Sequence, residues 1–186
     1  MISKPDLSNS PIIAAVKNDE QLESALTSES EIVFILYGDI LTIPEITGKV
    51  KAAGKSAIVH VDLVSGLSSR EVAVDYIPKV AKEDGIISTK PVLIRRGKEL
   101  GLFTVLRVFI IDSMALSNIS RDLKIVEPDV LEVLPGVVPE MIAKICETVS
   151  IPVIAGGLVS TKKDILAALN AGAVSISTSS QNIWHV

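Results

Sequence analysis

The chain has 186 residues, of which 48% are hydrophobic and only 3% aromatic, and its mean hydropathy is +0.47. This excludes intrinsic disorder, which needs low hydrophobicity and high net charge, and argues against a stacking platform for single-stranded RNA, which needs exposed rings. The net charge of −4 lacks the basic footprint of most nucleic-acid-binding domains, so any such surface must be a local patch.

Apolar runs of about 5–9 residues fall short of the ~20 that span a bilayer. The longest, Leu102 to Ile111, is broken by Arg107. Met1 to Ser10 has no signal-peptide pattern, so a cytoplasmic protein is expected. A single cysteine, Cys146, excludes an internal disulfide or a cysteine-based zinc site. With two histidines, His60 and His185, no metal site is expected.

In chain order, β-branched apolar runs begin at about Ile12, Ile32, Ala57, Gly85, Phe103, Asp129, Pro152 and Ala173, with starts 18 to 28 residues apart. Each interval fits a strand, a helix and two short loops. Strands alternating with helices imply a parallel sheet, and strands buried on both faces read as continuous apolar runs. Ile32-Val-Phe-Ile-Leu36 reads that way. In the sixth interval, Met141, Ile142, Ile145 and Val149 fall on one helical face behind Pro139, a good first helical residue. In the seventh, Thr161-Lys-Lys-Asp164 offers a capping box and Gly172 a left-handed stop. Asp112-Ser113 reads equally as a helix cap or a site element.

Eight such units predict a (β/α)8 TIM barrel forming one α/β domain over residues 1–186. An open doubly wound sheet is the alternative, although it normally has five or six strands. The chain is shorter than the ~200 residues usual for barrels. Because nine residues follow Ser177, the eighth helix is expected to be curtailed or missing.

Barrel sites lie at the C-terminal strand ends, often with a phosphate between the loops after strands 7 and 8. There the sequence places Ala155-Gly-Gly-Leu158, with Ser160-Thr161 entering a helix, and Ser177-Thr-Ser-Ser180. Glycines let backbone amides approach an anion, and helix N-termini and hydroxyls donate to it. The same residues also suit a tight turn and a solvated loop. Charges inside strand runs need partners or a function. Asp62, Lys90, Arg107 and Glu132 are expected to point into the mouth, either as a polar ligand site or as a structural ion-pair layer. His60 is expected to be a hydrogen-bonded core residue, and Cys146 to be core. Arg95, Arg96 and Lys98 form the densest basic cluster, either a nucleic-acid contact or an ordinary solvated helix face.

His60-Val-Asp-Leu63, Gly85-Ile-Ile-Ser-Thr-Lys90, Arg107-Val-Phe-Ile-Ile-Asp112, Glu132-Val-Leu-Pro-Gly-Val-Val-Pro139, Ile151-Pro-Val-Ile-Ala-Gly-Gly157, Ala168-Leu-Asn-Ala-Gly-Ala173, Thr178-Ser179 and Trp184 follow one another over nearly the whole chain. In that order they resemble the glycerol-3-phosphate-responsive antiterminator family. The resemblance implies a barrel used as a sensor. Its effector would be glycerol-3-phosphate and its partner a leader mRNA of glycerol-utilisation genes, with no cofactor. By position, Gly156, Gly157, Thr178 and Ser179 would hold the phosphate. Asp62, Lys90, Arg107 and Glu132 would line the polyol end, and Arg95, Arg96 and Lys98 are the RNA-contact candidates. The chain stops two residues past Trp184, where relatives usually continue, which bears on the closing helix. A homodimer would double a small basic patch. The competing class is a barrel enzyme, an isomerase or transferase acting on a phosphosugar or glycerol phosphate.

Overall fold

The computed structural model describes residues 5–7 and 9–185. Of Met1 to Ser10, the stretch in which no signal-peptide pattern is read, residues 1–4 and 8 lie outside them. Eight parallel strands close into a barrel in sequence order: β1 Ile12–Val16, β2 Ile32–Ile35, β3 Ser56–His60, β4 Gly85–Ser88, β5 Phe103–Phe109, β6 Val130–Leu134, β7 Val153–Gly156 and β8 Ser175–Thr178. Strand β8 pairs back onto β1, with Ile13 opposite Ser177. Seven α-helices alternate with the strands: α1 Asp19–Thr27, α2 Ile43–Ala52, α3 Glu71–Val80, α4 Pro91–Glu99, α5 Ser113–Val126, α6 Pro139–Thr148 and α7 Lys162–Asn170. Where an eighth would follow β8, the described residues form a single 3-10 turn, Gln181–Ile183. The closed barrel, not the open sheet, is the architecture.

Two apolar layers hold it. Ile13, Ile32, Phe34, Ile58, Ile87, Phe103, Val105, Val130 and Ile154 fill the barrel interior. The alternate strand residues, among them Ala14, Val33, Val59, Ile86, Leu131 and Ile176, pack outward against the helices with Leu22, Val50, Ile77, Leu93, Ile142 and Ile165. Burial on both faces is why the strands lack polar alternation. Side chains alternate along each strand. His60, Arg107, Glu132 and Ser177 therefore continue the inward rows of Ile58, Val105, Val130 and Ser175, and form the last inward layer below the mouth.

The helix starts follow the sequence signals. Thr161 Oγ1 accepts from the Asp164 amide at 3.2 Å, while Asp164 Oδ2 accepts from the Thr161 amide at 3.0 Å, completing the capping box. Asp112 caps α5, accepting from the Ala115 amide at 2.8 Å. The final turn is anchored by Trp184, which is 1% exposed and donates through Nε1 to the Thr178 carbonyl at 2.9 Å.

Candidate functional site

A cavity of about 530 Å3 opens at the C-terminal mouth, bounded by residues from β1, β2, β5, β6 and the loops after β7 and β8. Its floor is charged. Arg107 Nε lies 2.5 Å from Glu132 Oε2 and Nη2 lies 3.2 Å from Oε1. Ser177 Oγ also donates to Glu132 Oε1. Glu132 is fully buried and Arg107 is 8% exposed. The pairing is dictated by register, since Arg107 and Glu132 are direct neighbours on β5 and β6. Both carboxylate oxygens of Glu132 are thus occupied, and Arg107 retains Nη1 without a protein partner among the described residues.

Gly156 makes room for this floor. A Cβ there would lie 2.5 Å from Ser177 Oγ and 2.8 Å from Glu132 Oε1, closer than real contacts allow. Gly157 turns the chain over the cavity with φ +74°, a conformation that favours glycine. Ser179, Ser160 and Ser180 complete the hydroxyl side of the wall. Thr178 touches the cavity, but its hydroxyl is committed elsewhere. It donates to the Val159 carbonyl at 2.7 Å and accepts from the Ser180 amide at 3.0 Å, tying the two loops together. The α7 N-terminus is likewise occupied, since Asp164 Oδ2 takes the Ser160 and Thr161 amides. The expectation that this helix start donates to an anion is corrected for those two amides. Hydrogen bonds to Thr161 and Ser160 hold the Asp164 carboxyl below its usual range.

A positive charge that sequence reasoning missed compensates. Lys17, immediately after β1, lines the cavity and forms no ion pair within 4 Å among the described residues. Its signal was available, as a lysine directly at the end of a barrel strand. Ser177, read from sequence within the hydroxyl stretch after strand 8, instead gives its hydroxyl to Glu132 and completes the buried triad.

The chain matches the model of the glycerol-3-phosphate responsive antiterminators over residues 12–184. It belongs to the glycerol-3-phosphate responsive antiterminator family. The uncharacterized protein YgcP of Escherichia coli (strain K12) is 41% identical over 178 residues, covering 96% of this chain and 93% of YgcP. The crystal structure of the glycerol uptake operon antiterminator regulatory protein of Listeria monocytogenes aligns with TM-score 0.91 and 32% identity, covering 95% of each chain. A glycerol uptake operon antiterminator-related protein from Thermotoga maritima aligns with TM-score 0.83 and 35% identity, covering 94% of this chain and 98% of its own.

In this barrel the polar ring read from sequence separates into two groups. Arg107 and Glu132 form the cavity floor, whereas Asp62 and Lys90 are not among its lining residues. Strand β3 ends at His60, and Asp62 falls in the 3-10 turn Val61–Leu63. There its carboxylate accepts from Ser88 Oγ at 2.9 Å, the Thr89 amide at 2.7 Å and Thr89 Oγ1 at 2.9 Å. Burial raises its pKa, but these hydrogen bonds outweigh burial and hold the carboxyl below its ordinary value. Lys90 lies past β4, at the N-cap of α4, with Nζ 2.5 Å from Ser69 Oγ and 3.6 Å from Asp62 Oδ1. These two residues pin the loop after β4 rather than face the cavity.

His60 is buried as expected, but the expected hydrogen bond is not made. Its Nδ1 has no hydrogen-bond partner among the described residues and lies 4.0 Å from Asp62 Oδ2. Burial, reinforced by the Arg107 charge, pushes its pKa down to about 4, so the ring is neutral near pH 7. Cys146 is half-buried against the α6–α7 side, and burial pushes its thiol pKa up.

The RNA-contact candidates on α4 are internally paired. Arg95 meets Glu71 at 3.1 Å, and Arg96 meets Asp75 and Glu99 at 2.7 Å each. Lys98 Nζ donates to the Glu127 carbonyl. Three cations stand among three carboxylates, so the sequence cluster produces no standing positive field. No group of three or more His, Cys, Asp or Glu residues able to hold a metal occurs among the described residues, and no helix among them is long and apolar enough to cross a membrane.

Proposed function

We infer that this barrel is a cytoplasmic sensor that binds glycerol-3-phosphate at the C-terminal mouth and, in response, binds a leader mRNA of glycerol-utilisation genes to prevent transcription termination. The observation that carries the reading is the cavity itself. It joins Lys17, a cation with no ion pair among the described residues, and the hydroxyl and glycine wall of Gly157, Ser160 and Ser179 to a polar floor of Arg107, Glu132 and Ser177. The wall suits a phosphate and the floor suits polyol hydroxyls. Gly156 and Thr178 act on this site by shaping it, Gly156 through the space it leaves and Thr178 through its bridge to the Val159 carbonyl.

A regulatory rather than catalytic role is supported by how the floor is used. Glu132 is held as an ion-pair partner by three hydrogen bonds from Arg107 and Ser177, and the chain belongs to a family of antiterminators. The fold cannot decide the matter, since barrels host many chemistries. For RNA, α4 offers exchangeable cations, because exposed ion pairs are worth only about 0–1 kcal/mol and phosphates can displace the carboxylates. A homodimer would double this patch.

The test is leader-RNA binding by the purified protein with and without saturating glycerol-3-phosphate, across a salt series. Tighter binding with the effector is expected, and Arg95→Ala with Arg96→Ala should weaken it and flatten its salt slope. An affinity indifferent to glycerol-3-phosphate overturns the sensor reading. Turnover of a phosphosugar that is lost in Glu132→Gln establishes the enzyme reading instead.

A further inference from the structure

The mouth is bordered by apolar side chains that the fold holds in water. Phe109 and Leu158 form part of the cavity wall and are 53% and 78% exposed. Beyond the wall, Ile111 is 86% and Met114 69% exposed. Phe109 ends β5, Ile111 and Met114 come after it, and Leu158 comes after β7; β5 and β7 flank β6, so these residues border one side of the opening. Leu158 also adopts φ +63°, which an ordinary L-residue rarely takes. The tertiary structure therefore bears a local backbone cost to present a leucine to solvent. Exposed apolar side chains gathered at the rim of a cavity, as Phe109 and Leu158 are, mark a binding surface.

The cavity also exceeds what the proposed effector needs. About 530 Å3 lies within the ~300–1,000 Å3 that encloses drug-sized ligands, whereas glycerol-3-phosphate is a three-carbon body with one phosphate. The inner end is charged, but Leu36, Leu134 and Phe109 line the remaining wall. Charge distinguishes the candidate occupants. Asp19 and Glu20 open α1, Glu140 opens α6 and Asp164 sits in the first turn of α7, all on the face where the barrel helices begin. Lys162 and Lys163 in the first turn of α7 interrupt these acids, so a polyanion laid across the face meets both signs, whereas a single phosphate entering the cavity meets the cations Lys17 and Arg107.

We propose that the mouth takes glycerol phosphate esters that carry one apolar chain, with the phosphate and free hydroxyl in the cavity and the chain laid over Phe109 and Leu158 toward Ile111 and Met114. The proposal rests on the effector reading above for the head group and adds the ester class. Burial of each chain methylene tightens binding about fourfold.

The experiment is calorimetric titration of the whole chain with glycerol-3-phosphate, with octanoyl-glycerol-3-phosphate below its micelle concentration, and with octanoate. The ester should bind at least tenfold tighter than glycerol-3-phosphate, and octanoate should give no saturable heat. Ile111→Ser with Met114→Gln should cut the ester's advantage at least threefold while glycerol-3-phosphate binds as before. If glycerol-3-phosphate binds but the ester binds no tighter, or octanoate binds equally well, the proposal is overturned and the effector reading stands. If glycerol-3-phosphate gives no heat, the effector reading fails, and the proposal falls with it. Sedimentation with phosphatidic acid vesicles that is lost in the double variant overturns the proposal in favour of a bilayer-docking surface.

Discussion

The Arg107–Glu132–Ser177 triad places two full charges inside a barrel otherwise filled by aliphatic side chains. Removing one partner of a buried ion pair costs about 3–5 kcal/mol because the other charge is left stranded, whereas replacing both with apolar residues of similar size is often near neutral. Glu132→Ala should therefore lower stability by about that amount in urea denaturation. The double change Arg107→Met with Glu132→Leu should recover most of the stability while abolishing the effector-induced rise in melting temperature. Two other buried groups set the pH response. Glu83 is 6% exposed, and neither carboxylate oxygen has a hydrogen-bond partner among the described residues. Burial, with the Asp84 charge adding to it, raises its pKa to about 7. The folded state thus holds its proton more tightly than the unfolded chain, and stability falls as pH rises from about 4.5 to 7. His60 acts in the opposite sense. Its pKa, lowered from 6.5 to about 4, makes stability fall as pH drops through that interval. Glu83→Gln should raise stability at pH 8 and leave a curve that climbs from pH 4 to 6.5. An unchanged pH profile in denaturant melts would contradict this account of Glu83.

The elements that build the site are the loops after β7 and β8, and their tolerance to change follows from contacts. Gly156→Ala drives a methyl into Ser177 Oγ and Glu132 Oε1. It should cost about 1–3 kcal/mol by overpacking and weaken the effector response along with stability. Thr178→Val leaves the Val159 carbonyl without its donor, a loss of about 1–3 kcal/mol if that group stays buried. It should loosen the loop that carries Leu158, which hydrogen exchange at residues 157–161 would detect. The strands themselves were legible in sequence because double burial forces unbroken β-branched runs, and the observed starts fall close to the expected ones. Asp62 and Lys90 were misplaced because alternation was carried past the point where β3 and β4 end. Nothing in the runs marks the turn at His60, where the chain leaves the sheet for a 3-10 helix. The neutralisation of α4 was not legible either. Glu71 and Asp75 lie on the preceding helix, more than 20 residues from Arg95 and Arg96, and face them only once α3 and α4 pack together.

At the scale of the barrel, the described residues form eight strands and seven helices, and β8 is followed by a 3-10 turn and the buried Trp184. Gln21 of α1 reaches the Ser179 carbonyl at 3.5 Å, and Trp184 holds the Thr178 carbonyl, so the cavity wall is tied to both α1 and the final turn. A ligand on that wall that binds the folded state alone stabilises the entire barrel, by about 2.7 kcal/mol at a hundredfold excess over its dissociation constant. Aliphatic richness with few aromatics is the composition that such a doubly covered barrel requires. On α4 the cations Arg95 and Arg96 are balanced locally by Glu71, Asp75 and Glu99. The most direct test is calorimetric titration of glycerol-3-phosphate into the wild-type chain and into Lys17→Ala. The account predicts saturable binding at one site per chain, weakened at least tenfold in Lys17→Ala. No binding heat at millimolar glycerol-3-phosphate, or equal affinity in both proteins, would contradict it.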